Sequence, residues 1–197
     1  MAITPTGTIA DDLLRITDDG TFSDGCAEPW VVNVLTALLV ANASRNVIEI
    51  GGFQGRTSRA LLRAMQPLPW PKLFTVCELE PERAQDVANA LERGGKCNYA
   101  KVVNANSLDW ISTLPAESVD FVWLDGSHEK EHVYQELCML RPKLAKGALL
   151  CGHDVFGRCD LQQVFALFAS QTGWRSMSLD LPIAGPAGGI GIVQKPR

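Results

Sequence analysis

The sequence predicts an α/β fold: a doubly wound, mostly parallel, seven-stranded sheet with helices on both faces. Three observations carry that prediction. Apolar runs of strand length alternate with amphipathic runs of helix length along most of the chain. Two of the apolar runs, Val119-Asp-Phe-Val-Trp-Leu and Gly147-Ala-Leu-Leu-Cys-Gly, are largely apolar, as strands covered on both faces should be. Polar and acidic residues gather just beyond the ends of successive strands, where open parallel sheets bind ligands.

Residues 1–27 read as an irregular lead-in or lid, and 28–197 as a single domain. The first helix, 29–42, carries a broad apolar face around Trp30, Val34, Leu35, Leu38 and Leu39. Part of that face must cover the sheet, and the surplus is expected to join two subunits in a homodimer. Strand 46–50 runs into Gly51-Gly-Phe-Gln-Gly55 and then helix 56–66. Gln66-Pro-Leu-Pro-Trp-Pro is a rigid connector to strand 73–78. Helix 81–93 opens on Pro81 and stops before Gly94-Gly95, the asymmetry expected of helix ends. Strand 100–104 follows, and Asn106 and Ser107 suit the capping of a helix after it. The remaining order is strand 119–124, helix 128–140, strand 147–152, helix 160–171, and strands 174–179 and 189–194.

At 197 residues and 46% hydrophobic, the chain has apolar surface enough for one full core. Its net charge of -4 leaves no broad basic surface for nucleic acid phosphates. No apolar run approaches the roughly 20 residues of a membrane span. The start, Met1-Ala-Ile-Thr-Pro, has no basic-then-apolar pattern, so a cytoplasmic location is expected. The six cysteines form no C-x-x-C pair and read as buried free thiols, as a reducing compartment would leave them.

The chemistry concentrates at 47–55. An apolar strand containing Glu49 ends in a glycine-rich turn, and the helix beyond points unpaired N–H groups back at it. Glu49 would repel a phosphate and favour an ammonium or sulfonium, which suggests S-adenosylmethionine over a nucleotide. Glu78, closing the second strand, suits a ribose diol. Asn104, Asn106 and Ser107 follow the third strand, Asp125 the fourth, and His153 and Asp154 the fifth.

Four motifs together resemble the class I S-adenosylmethionine-dependent methyltransferases, whose sheet is Rossmann-like. They are Val47-Ile-Glu-Ile-Gly-Gly-Phe-Gln-Gly-Arg-Thr-Ser58, Cys77-Glu-Leu-Glu-Pro81, Val119-Asp-Phe-Val-Trp-Leu-Asp-Gly-Ser-His128 and Leu140-Arg-Pro-Lys-Leu-Ala-Lys-Gly-Ala-Leu-Leu-Cys-Gly-His-Asp154. The resemblance covers about residues 28–194 and is closest to small-molecule O-methyltransferases of the catechol and sugar or macrolide types. It implies a cofactor site at Glu49, Gly51, Gly52, Gly55, Thr57, Ser58, Glu78, Asn106, Ser107 and Asp125. Catechol-type enzymes hold magnesium through an Asp at the position of Asp125 and an Asp-Asn pair where this chain has His153-Asp154. The lysine that serves them as base is replaced by His128. Two routes for deprotonating an acceptor hydroxyl therefore stand open. One is Mg²⁺ or another divalent cation on Asp125, His153 and Asp154, with His128 as acid–base partner. The other is metal-free catalysis with His128 or His153 as sole base.

Rival readings are weaker. A nicotinamide-dependent oxidoreductase would need a G-x-G-x-x-G fingerprint, which Phe53 breaks, and a P-loop has no Gly-Lys-Ser/Thr. His128-Glu-Lys-Glu-His132 matches H-E-x-x-H, but no third zinc ligand stands out downstream, and the Lys-Glu pair between the histidines suits a solvent-facing helix start. A non-catalytic cofactor-binding module would leave the polar residues beyond strands three to five without a role.

Overall fold

The computed structural model describes residues 27–95, 98–157, 160–180 and 188–197. The predicted lead-in or lid lies outside them apart from Ala27. The described elements are α1 Pro29–Ala41, β1 Asn46–Ile50, α2 Arg56–Met65, β2 Leu73–Glu78, α3 Pro81–Gly94, β3 Ala100–Asn104, α4 Ser107–Thr113, β4 Val119–Leu124, α5 Lys130–Leu140, β5 Leu144–Phe156, α6 Gln162–Thr172, β6 Arg175–Leu179 and β7 Gly188–Gln194. The strands form one sheet in the order β3-β2-β1-β4-β5-β7-β6. Neighbours from β3 to β5 pair in parallel, and β7 pairs antiparallel with both β5 and β6.

Alternation along the strands builds the two halves of the core. In β1 and β4, Val47, Phe121 and Trp123 pack with Leu35, Leu39, Leu61 and Val87 under α1, α2 and α3. Ile48, Ile50, Val122 and Leu124 point the other way, toward Leu137, Phe165 and Phe168 of α5 and α6. The chain reverses its winding at β1, so β1 and β4 diverge into opposite crossovers and leave a crevice at their carboxyl ends. The turn after β1 is pinned there: the Gly51 N–H donates to the Cys77 carbonyl and the Asp125 N–H to the Ile50 carbonyl.

Several expected boundaries moved for local reasons. Helix α5 begins at Lys130 rather than 128, because residues 125–129 form the loop that overhangs the crevice. Strand β5 is longer than the predicted 147–152, since β7 supplies a partner as far as Phe156. Short α4 lies outside the predicted helix ranges, although its cap was legible: the Asn106 side chain accepts the Leu108 N–H at 3.0 Å. Cys77 and Cys151 are buried free thiols, whereas Cys138 is exposed, on the outer face of α5. On α1, Leu35 and Leu39 enter the core while Trp30, Val34 and Leu38 are only partly covered. Among the described residues no helix is long and apolar enough to cross a membrane.

Candidate active site

A cavity of about 770 Å³ opens at the carboxyl ends of β1 to β5, within the range usual for small-molecule sites. Of the residues singled out in the sequence, Gly51, Glu78, Asn106, Ser107, Asp125, His128, His153 and Asp154 line it. Glu49, Gly52 and Thr57 do not. They enclose an adjoining space of about 30 Å³ that touches the larger cavity at Gly51, Phe53 and Asp125. Gly55 and Ser58 line neither.

The glycine turn is held by a carboxylate. Glu78 Oε2 accepts the N–H groups of Gly52 and Phe53, both at 2.9 Å, and Oε1 accepts that of Glu80 at 3.2 Å. A carboxylate has about four acceptor positions, so three bonds leave Glu78 little capacity for a second ligand hydroxyl. Sequence spacing placed Glu78 at a diol; the structure adds that it shapes the turn itself. The glycines divide their work. A Cβ on Gly55 would lie 2.5 Å from that of Ala90, so this residue lets α2 approach α3. Gly51 alone of the three lines the main cavity.

Glu49 is 1% exposed and neither of its carboxylate oxygens has a hydrogen-bond partner. Burial pushes its pKa well above the ordinary value for a glutamate; the nearby Ser58 hydroxyl, outside hydrogen-bond geometry, opposes this, and Asp125 and Glu78 reinforce it. An orphaned buried carboxylate calls for a cation or a donor beside it.

The β4 and β5 ends carry a cluster of carboxylates and imidazoles. His153 Nδ1 lies 3.2 Å from Asp125 Oδ1, and Nε2 lies 2.8 Å from Glu28 Oε2. Its ring packs 5.7 Å from that of Trp123. Burial alone would lower the His153 pKa, but Asp125 and the hydrogen bond to Glu28 more than offset it and raise it to about 11. With a carboxylate at each nitrogen, His153 is an imidazolium in this arrangement and has no lone pair to take a proton. Burial likewise raises Asp125, against the charge and hydrogen bond of His153. His128 Nε2 lies 3.0 Å from Asp154 Oδ2 and 3.9 Å from Asp125 Oδ1. The Asp154 hydrogen bond raises the His128 pKa, and partial burial opposes it. The β5 ladder shifts register between His153 and Phe156, and Asp154 sits there at φ 51°. A left-handed aspartate inside a strand is held strain, and at this irregularity in β5 it sets the carboxylate beside His128.

Glu28, Phe53, Arg83, His132 and Glu136 also line the cavity and were not assigned to a site from the sequence. Arg83 stacks over the Phe53 ring at 4.9 Å. Glu28 lies 125 positions from His153, a separation that local pattern does not bridge. His132 was visible in the H-E-x-x-H pattern, yet the two rings engage different partners: His132 meets Ser107 and Glu136, and His128 meets Asp154.

The fold and the cavity together define an α/β domain with a cavity of small-molecule size at the switch point of a parallel sheet. Residues 48–155, just over half the chain, match the family model described as "Methyltransferase domain", and the chain belongs to that family. No curated protein sequence matches it. Among solved structures it resembles the O-methyltransferase TomG from Streptomyces achromogenes, involved in tomaymycin synthesis and in complex with SAM. That pair has a TM-score of 0.75 at 18% identity, covering 95% of this chain and 89% of that one. An O-methyltransferase from Bacillus cereus in complex with SAH gives 0.71 at 18% identity, covering 98% and 94%. A putative O-methyltransferase from Klebsiella pneumoniae gives 0.71 at 16%, covering 98% and 92%.

Proposed function

We propose that this protein is an S-adenosylmethionine-dependent methyltransferase acting on a hydroxyl of a small molecule. The observation that carries the cofactor is Glu49. Its unpartnered carboxylate beside the Gly51 turn offers a cationic amino group the partner it lacks. The family match and the O-methyltransferase neighbours that hold SAM or SAH support the same reading.

In this reading the sulfonium methyl faces the Asp125–His128–Asp154 end of the cavity. Methyl transfer is an in-line displacement in which the sulfur charge disappears as the new bond forms, so alignment and timely deprotonation govern its rate. His128 serves as base. Of the two histidines at this end it is the more exposed, and the one with a single close carboxylate. Asp154 orients it. His153, tied to Glu28 and Asp125, positions Asp125 and links the start of α1 to the site.

The donor set also fits a divalent cation: one atom each from Asp125, His128 and His153 lies within 4.8 Å of the others, and Asp154 adds a further carboxylate. An ion held by Asp125, His153 and Asp154 would require His153 to give up a proton, and would lower the pKa of an acceptor hydroxyl. Self-association through the half-covered Trp30, Val34 and Leu38 face belongs to the same proposal. Light scattering should give twice the 21.4 kDa chain mass; a monomer at micromolar concentration would remove it.

Calorimetry tests the cofactor. S-adenosylmethionine and S-adenosylhomocysteine should both bind, and NAD should not. Glu78→Ala frees the two turn N–H groups as well as the ligand contact, so affinity should fall by about 1–3 kcal/mol. Absence of heat with either sulfur compound would overturn the proposal.

A further inference from the structure

A separate cavity of about 280 Å³ lies beside the glycine turn, between α2 and α3. It shares no lining residue with the main cavity, although Gln54 and Arg56 border both it and the Glu49 space.

Its walls are cationic. Helix α2 carries Arg56, Arg59 and Arg63 at spacings of three and four, hence on one face, and has no acidic residue. Helix α3 turns Asp86, Ala90 and Arg93 toward it, again one face of a helix. Small residues bring the two helices close. Gly55 meets Ala90, and the stem of Arg59 runs beside Gly94, where an added Cβ would lie 3.1 Å from the Arg59 Cγ. Arg56, Arg59 and Arg93 therefore share the cavity with a single acid, Asp86, three guanidinium groups against one carboxylate. Arg59 and Arg63 add a like-charge pair one helical turn apart, which costs stability by itself. Burial and the charges of Arg63 and Arg93 all lower the Arg59 pKa, as expected where cations are held together against their repulsion.

We propose that this cavity binds a phosphate dianion, either free phosphate or a small phosphate monoester. Guanidinium forks engage phosphate oxygens in pairs. The excess of two positive charges over Asp86 matches a dianion, whereas a carboxylate ligand would bring one charge and two oxygens. The source is a small soluble molecule. None of the exposed large hydrophobic side chains described lines the cavity, so nothing there would enter a lipid surface. The net charge of -4 opposes a nucleic acid.

Isothermal titration calorimetry at fixed ionic strength tests the proposal, at about pH 8, above the second pKa of a phosphate. Inorganic phosphate and glycerol 3-phosphate are the probes, and the tighter of the two marks the free ion or the ester as the natural form. Acetate, with its single charge, should bind at least about 10-fold more weakly. Arg59→Gln and Arg93→Gln should each weaken phosphate binding by about 10- to 100-fold, the range for a hydrogen bond to a charged group. Arg93 is exposed, so its variant serves should the Arg59 variant not fold. Arg175→Gln removes a positive charge from the exposed start of β6 and should leave the affinity unchanged. No saturable heat with phosphate in the wild type, acetate binding as tightly, or unchanged affinity in the folded Arg59 and Arg93 variants would overturn the proposal. An equal loss in Arg175→Gln would reduce the effect to net charge and overturn it as well.

Discussion

His128→Ala should lower kcat by about 10²–10⁴-fold, the usual contribution of a positioned base, while leaving S-adenosylhomocysteine affinity nearly unchanged. The base must be neutral to act. Because the Asp154 hydrogen bond raises its pKa above the ordinary 6.5 or so, His128 is mostly protonated below that raised value. The wild-type rate should therefore climb with pH, through a midpoint above 6.5. Asp154→Asn removes the charge that holds the proton, so the climb should move to lower pH while the plateau falls through poorer orientation. A second arm concerns the cation. If Asp125, His153 and Asp154 bind one, chelation should abolish turnover and Mg²⁺ or a softer divalent ion should restore it. Full activity in chelator leaves His128 as sole base; an undiminished His128→Ala rate removes it from the mechanism. Should Asp125→Asn with Asp154→Asn keep both cofactor affinity and turnover, the cluster is structural.

Gly51→Ala should cost about 2–5 kcal/mol of stability, from left-handed strain and overpacking together, a fall of roughly 5–15 °C in Tm for a chain of this size. The backbone there sits at φ 84°, and a Cβ would fall 2.4 Å from the Asp125 carbonyl oxygen and 2.5 Å from the Gly126 Cα. Neither neighbour is a flexible side-chain end, so the turn must shift against β4. That shift would open the junction between the Glu49 space and the main cavity, and cofactor binding should be lost even where the variant stays folded. Gly173→Ala is the control. It also has a positive φ, 69°, but nothing lies within 4 Å of the added methyl, so it should show the strain alone, about 1–2 kcal/mol. Equal effects at the two positions would mean that the close approach of the β1 turn to β4 carries no weight.

What the sequence by itself determined was the layout. The apolar runs at Val119–Leu124 and 147–152 could be little other than buried parallel strands, and Pro81 with Gly94-Gly95 bounded a helix through backbone chemistry alone. The positions of Glu78 and Asp125 at strand ends followed from the same periodicity; His153 and Asp154, expected just beyond the fifth strand, lie within β5 where its ladder shifts register, and all four line one cavity. These are short-range properties, written within ten or so residues. Tertiary structure decided which partner each group found. Glu49 and Glu78 look alike as acids of neighbouring strands. One is sealed beneath the turn without a hydrogen bond, and the other is bonded to the turn's own N–H groups. His153 and His128 both read as bases. Asp125, joined by Glu28 arriving from the start of α1, makes His153 a doubly held cation, and in the proposed mechanism that leaves His128 to take the proton. Electrostatic character belongs to the set of charges within a few ångströms, and that set is assembled by chain segments more than a hundred residues apart.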